Sequence, residues 1–102
     1  MRPETPEDRR AHETACLEEV ERQAYADETL KRDKTIIHRV WLDGEYPDTR
    51  ICVDIERFSR RRVLEWRLWD EGNGDFGDPP PDGSPAPPKI IAMEVMIELM
   101  EF

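Results

Sequence analysis

Two histidines and two cysteines are the side chains of this sequence that could bind a transition metal. His12 and Cys16 lie one turn apart on a predicted helix, while His38 and Cys52 lie on two predicted neighbouring strands. Together these four side chains could supply the ligands of a tetrahedral zinc site. Their spacing matches no compact zinc motif, and the two cysteines are far apart in sequence. We therefore expect no metal and no other cofactor.

Carboxylates and hydroxyls are present without the arrangement that catalysis or calcium binding requires. The acidic stretch 70–82 offers oxygen ligands among glycines, but it lacks the ligand order of an EF-hand. The sequence has no nucleophile elbow, no catalytic-cysteine signature and no phosphate-binding loop. With 24 acidic residues, a neighbouring pair such as Asp54 and Glu56 arises by chance. We expect the chain not to be an enzyme.

Arg60, Arg61 and Arg62 form a basic run that Trp66 and Trp69 follow. Arginine beside aromatic residues can bind single-stranded nucleic acid by charge and stacking. The chain as a whole carries 15 basic against 24 acidic residues, a formal net charge of -9, which argues against a nucleic-acid partner. Direct nucleic-acid binding through these arginines remains an alternative.

Residues 1–33 are predicted to form a helical arm. Thr5 can cap the helix, Pro6 suits its first position, and the acidic Glu7 and Asp8 complement the positive end of the helix dipole. The apolar stripe along this segment is narrow, so we expect the helix to pack along one edge only. It is predicted to continue to about residue 32.

Residues 34–69 are predicted to form a three-stranded antiparallel meander. The strands are expected over 34–42, 49–58 and 61–69, where β-branched and aromatic residues are frequent and apolar residues alternate. A turn signal with Asp43 and Gly44 separates the first two strands.

The last third of the chain divides into a loop and a terminal element. Residues 70–88 are rich in Pro, Gly and Asp, which predicts a flexible loop. Residues 89–102 contain Met, Glu, Leu and Ala, which favour a helix, but their alternation also allows a fourth strand. The chain is therefore interpreted as one α+β domain over 1–102.

The alternation of the strands predicts an inner and an outer face of the sheet. We expect these side chains to face the helices: Ile36, His38, Val40, Leu42, Ile51, Val53, Ile55, Leu64, Trp66 and Leu68. The outer face then mixes tryptophan, arginine and acids, a composition typical of protein interfaces. The predicted partner-binding residues are Arg39, Trp41, Asp54, Glu56, Arg67 and Trp69.

Acidic side chains form a second predicted surface. Its members are Asp70, Glu71, Asp75, Asp78, Asp82, Glu94, Glu98 and Glu101. We expect a cytoplasmic protein-binding module of adaptor or inhibitor type, whose partner is a protein with a basic surface. Its size and charge would fit a phage or mobile-element accessory protein acting by occlusion. A homodimer, and mimicry of nucleic acid by the acidic surface, are further hypotheses; no membrane association is expected.

Overall fold

The computed structural model describes residues 5–46, 48–69 and 87–102. The elements in chain order are α1 (Pro6–Ala26), α2 (Glu28–Arg32), β1 (Ile36–Asp43), β2 (Arg50–Arg57), β3 (Arg60–Arg67) and α3 (Pro88–Glu101). The predicted α+β fold is confirmed, and its terminal element is a helix. The predicted loop over 70–88 lies outside the described residues, apart from its last two.

The N-terminal helical segment is divided in two at Asp27. The Thr5 side chain accepts a hydrogen bond from the Asp8 backbone N–H at 3.1 Å and caps α1. Asp27 has an extended backbone, and its carboxylate accepts from the Leu30 N–H at 2.9 Å. A short polar side chain that bonds the backbone in this way starts a new helix, so the single helix predicted to residue 32 ends early and α2 follows it.

The sheet has the order β1-β2-β3 with antiparallel pairing throughout. Gly44 in the first turn adopts φ +78°, and a Cβ at this position would lie 2.9 Å from the Asp48 carbonyl oxygen. Phe58 and Ser59 form the second turn and both have positive φ, 51° and 66°. The meander predicted from the sequence is confirmed.

A β-bulge at His38 changes the inner face of β1. Ile37 pairs with Ile55 and Arg39 with Asp54, which leaves His38 as the additional residue. Ile37 consequently packs against the core, whereas Ile36 is 50% exposed. The prediction that Ile36 and His38 face the helices is wrong, because a bulge inverts the alternation on one side of it.

The core lies between the inner face of the sheet and the helices. Its buried members from β2 onward are Ile51, Val53, Ile55, Trp66, Leu68, Ile91, Ala92, Val95, Met96 and Leu99. Cys16, Val20 and Ala24 of α1 complete it from the other side. The inner face predicted for β2 and β3 is confirmed, with Leu64 only partly buried.

Arg57 fixes the C-terminal end of α3 to the sheet. Its guanidinium donates hydrogen bonds to the carbonyl oxygens of Leu99, Met100 and Phe102 at 2.8, 3.3 and 2.9 Å. Its Nε donates to Thr35 Oγ1 at 2.9 Å. Carbonyl groups at the end of a helix have no partner within the helix, so this cation satisfies them and complements the negative end of the helix dipole.

Candidate functional site

The outer face of the sheet, which is turned away from the helices, carries charges that pair with one another. Arg61 donates two hydrogen bonds to the Asp54 carboxylate, at 3.0 and 2.9 Å. These bonds hold the pKa of Asp54 below its usual value. His38 lies 2.8 Å from the Glu56 carboxylate. Two of the predicted partner-binding acids are thus engaged within the chain.

Arg39 and Trp41 lie together on this outer face. The guanidinium carbon of Arg39 is 4.8 Å from the centroid of the Trp41 ring, a cation–π distance. Trp41 is partly buried and pairs across the strands with Cys52. Arg67 lies on the same face, 3.6 Å from the Asp48 carboxylate. The structure therefore places Arg39, Trp41, Asp54, Glu56 and Arg67 on one face of the sheet.

Trp69 lies apart from this group. Its indole N–H donates to the Glu13 carboxylate of α1 at 2.9 Å, and its ring contacts the rings of His12 and Tyr46. The prediction that Trp69 continues the outer face is wrong because β3 ends at Arg67. Beyond that residue the alternation of a strand no longer determines where a side chain points.

The four side chains considered as zinc ligands do not form one cluster. The only group of three or more candidate ligands in the described part of the chain is Asp43, Cys52 and Glu65, whose ligand atoms lie within 4.8 Å of one another. Arg50 already lies 3.0 Å from Asp43 and 3.9 Å from Glu65. The guanidinium thus supplies the positive charge in this group.

Neither thiol is activated. Burial, followed by the nearby Glu13, raises the pKa of Cys16 to about 12, although its sulfur lies 3.4 Å from His12 Nε2. Burial and the charges of Glu65 and Asp43 raise the pKa of Cys52 to about 11. The thiolate is the reactive form of cysteine, and near neutral pH both residues remain protonated.

Two of the three arginines in the basic run have partners within the chain. Arg61 binds Asp54, as described above, and the guanidinium carbon of Arg60 lies 5.6 Å from the centroid of the Phe102 ring. Arg62 is exposed. The run therefore presents less free positive charge than its sequence indicates.

The acidic surface is only partly described. Asp70, Glu71, Asp75, Asp78 and Asp82 lie outside the described residues. Glu98 accepts a hydrogen bond from the indole N–H of Trp66 at 2.5 Å. Across the ranges 5–46, 48–69 and 87–102, no ion pair involves Glu94 or Glu101.

Helix α3 is apolar on two sides, which the sequence analysis missed. One side is buried in the core, and the other exposes four large side chains, here called the outer stripe. The outer stripe consists of Ile90, Met93, Ile97 and Met100, with 38, 47, 46 and 42% exposure. The signal in the sequence is the spacing i, i+3, i+7, i+10 next to a second apolar set. The two sets together also alternate as in a strand, which hides the helical spacing.

Comparison with protein-family models, curated proteins and solved structures finds no match. Within the described residues no helix has both the length and the apolar character needed to cross a membrane.

Proposed function

We propose that this chain is a small non-enzymatic protein-binding module of adaptor or inhibitor type, and that the outer stripe of α3 is its main contact surface. The observation that carries the proposal is the exposure of Ile90, Met93, Ile97 and Met100 on one face of one helix. These are four of the nine large hydrophobic side chains that the described residues expose. The other five lie in five other segments of the chain: Tyr25, Ile36, Tyr46, Phe58 and Val63.

The size of the outer stripe supports a role in binding. At these exposures it presents roughly 300 Å² of apolar side chain, a size at which an apolar patch on a monomer is often functional. A helix that only covered a core would carry polar residues on its outward face. Here the positions opposite the core hold Ile and Met, and Met is common at binding surfaces because it adapts its shape to a partner.

The outer face of the sheet supports a contact less strongly. Its acids and bases already pair with one another, as Asp54 does with Arg61, so a partner would have to break these pairs or leave them exposed. The stacked pair of Arg39 and Trp41 is the part of this face that could anchor a partner. We retain it as a second contact.

The net charge of -9 suits a partner with a basic surface, because complementary charge speeds association and disfavours the wrong partners. Occlusion of that surface would be the mode of action. Two alternatives have less support. In a nucleic-acid contact through the basic run, Arg61 is already paired with Asp54 and Arg60 lies against the Phe102 ring. Most acids of a nucleic-acid mimic lie in the range 70–86, outside the described residues.

Substitution of one stripe residue tests the proposal. We expect Ile97→Asp to abolish the capture of partner proteins from cells of the native host, because an unpaired carboxylate in an apolar contact costs several kcal/mol. Tyr25→Asp is the matched control: Tyr25 is 47% exposed, against 46% for Ile97, but lies on α1. Captured proteins would be identified by mass spectrometry.

The outcomes separate the two surfaces. Retention of every partner by a folded Ile97→Asp variant would refute the proposed role of the outer stripe. Loss of the partners by Trp41→Ala, with retention by Ile97→Asp, would instead place the contact on the outer face of the sheet. Circular dichroism and urea unfolding would establish that each variant is folded.

A further inference from the structure

The outer stripe has the spacing of a helix-pairing surface. Ile90 and Ile97 are seven residues apart, and Met93 and Met100 repeat that interval three residues later. Apolar residues at such alternating intervals of three and four form the seam between two packed helices. The stripe runs for roughly 15 Å at the rise of an α-helix. Its shape therefore suits a helix lying along α3.

The two sides of the stripe differ in charge. Glu94 and Glu101 each follow an isoleucine of the stripe by four residues, so both carboxylates lie on the same side of it. Neither has an ion-pair partner in the portion of the chain that the structure describes.

The opposite side of the stripe is bordered by α1. Hydrogen bonds from Arg22 and Gln23, and the nearby charge of Lys89, lower the pKa of Glu19 on that helix. Lys89 therefore lies on the α1 side of the stripe. The side that carries Glu94 and Glu101 is the negative one.

A second copy of the chain fits this charge pattern poorly. If two copies of α3 packed antiparallel through their outer stripes, the two-fold axis would bring the same side of both helices together. Glu94 and Glu101 of one copy would then face the same residues of the other. A parallel pair would offer only Lys89 to this acidic side. Each copy also carries a net charge of -9, which opposes self-association.

Two other occupants are disfavoured by the same charges. The segment 70–86 contains five acidic residues and no basic one, so it would meet Glu94 and Glu101 with like charge. An anionic membrane surface attracts helices with basic residues beside their apolar face, and here that position is acidic.

We propose that the outer stripe of α3 binds an amphipathic helix of a partner protein, with Lys or Arg on the side of that helix that faces Glu94 and Glu101. This inference rests on the proposed function and adds the chemistry of the partner to it. The apolar seam supplies the contact, and the two carboxylates select basic over acidic helices.

Two synthetic peptides test the inference directly. Both have Leu at the first and fourth positions of three heptads; one carries Lys beside this seam and the other Glu. Their length of about 21 residues is needed because isolated helices shorter than about 15 residues are marginal in water. Binding to the full chain is measured by fluorescence anisotropy of the labelled peptide at low and high salt.

We expect the Lys peptide to bind about tenfold more tightly than the Glu peptide at low salt, with a smaller ratio at high salt. Glu94→Lys combined with Glu101→Lys should reverse the preference. Ile97→Asp should remove binding of both peptides, and Tyr25→Asp should leave it unchanged.

Several results would overturn the inference. The first is that the Lys peptide does not bind at any concentration tested, and the second is that the Glu peptide binds equally or more tightly. The third is that Glu94→Lys with Glu101→Lys leaves the preference unchanged. Sedimentation of the wild-type chain as a dimer that Ile97→Asp dissociates would make a second copy the occupant. If Ile97→Asp loses its captured partners but the peptides show no charge preference, only the partner chemistry fails. If Ile97→Asp keeps them all, the proposed function itself fails.

Discussion

Arg57 shows how one side chain connects the strand hairpin to the helix that carries the proposed surface. Its guanidinium donates hydrogen bonds to three carbonyl oxygens at the end of α3 and to the hydroxyl of Thr35. Hydrogen bonds from a charged group contribute more than neutral ones because the charge strengthens each bond. The position of α3, and hence of its outer stripe, depends on this contact.

Removal of this side chain should therefore destabilise the chain. We expect Arg57→Ala to lower the free energy of unfolding by roughly 2 kcal/mol, since it leaves several helix-end carbonyls without a partner. Arg60→Ala is the control, because Arg60 lies near the Phe102 ring without bonding those carbonyls. It should change stability by less than about 0.5 kcal/mol. Equal losses in urea unfolding of both variants would contradict this role of Arg57.

The sequence alone assigns Trp41 to the correct face of the sheet but assigns Trp69 to the wrong one. Residues inside a strand follow the alternation of the sheet, so Arg39, Trp41, Asp54, Glu56 and Arg67 could be assigned to one face. Trp69 lies two residues beyond β3 and bonds Glu13. The partners of such a residue come from a distant helix, which local pattern does not specify.

The turn between β2 and β3 holds two residues in a conformation that neither favours. Phe58 and Ser59 have positive φ, and the Phe58 ring is 75% exposed. Left-handed backbone costs a residue with a Cβ about 1 kcal/mol, and two-residue hairpins prefer Asn-Gly. No turn signal marks these two residues in the sequence, unlike the Asp-Gly at residues 43–44.

Replacement of this turn by the favoured pair should stabilise the fold. We expect Phe58→Asn with Ser59→Gly to raise the free energy of unfolding by roughly 1 to 2 kcal/mol, measured by urea unfolding. Gly44→Ala is the opposite control, because Gly44 already has positive φ and an added Cβ would meet the Asp48 carbonyl oxygen. A double substitution that leaves stability unchanged or lowers it would show that the turn is not strained.

Element types were largely predictable, while irregularities within elements were not. The caps of α1 and the alternation in β2 and β3 indicated those elements correctly. The break at Asp27 and the bulge at His38 escaped detection, because each depends on hydrogen bonds that compete with the regular pattern. For α3 the outward Ile and Met residues obscured the helical period, and these are the residues we assign to binding.

Considered as a whole, the molecule carries four of its nine exposed large hydrophobic side chains, counted over the described residues, on one helix. The outer face of the sheet is polar and largely paired within the chain, as the Asp54–Arg61 and His38–Glu56 pairs show. The outer stripe is apolar and is flanked by Glu94 and Glu101, for which the described part of the chain holds no ion-pair partner. A net charge of -9 opposes self-association, and we propose that it leaves the stripe open to a basic partner.

Methionine oxidation tests most directly whether the outer stripe is an open contact surface. Met93 and Met100 belong to the stripe with 47 and 42% exposure, whereas Met96 on the same helix is 6% exposed and serves as an internal control. We expect peroxide to oxidise Met93 and Met100 of the monomeric chain well before Met96, and the Lys peptide to protect the first two. Oxidation of all three at the same slow rate in the free monomer would mean that the stripe is already covered, and would contradict the account.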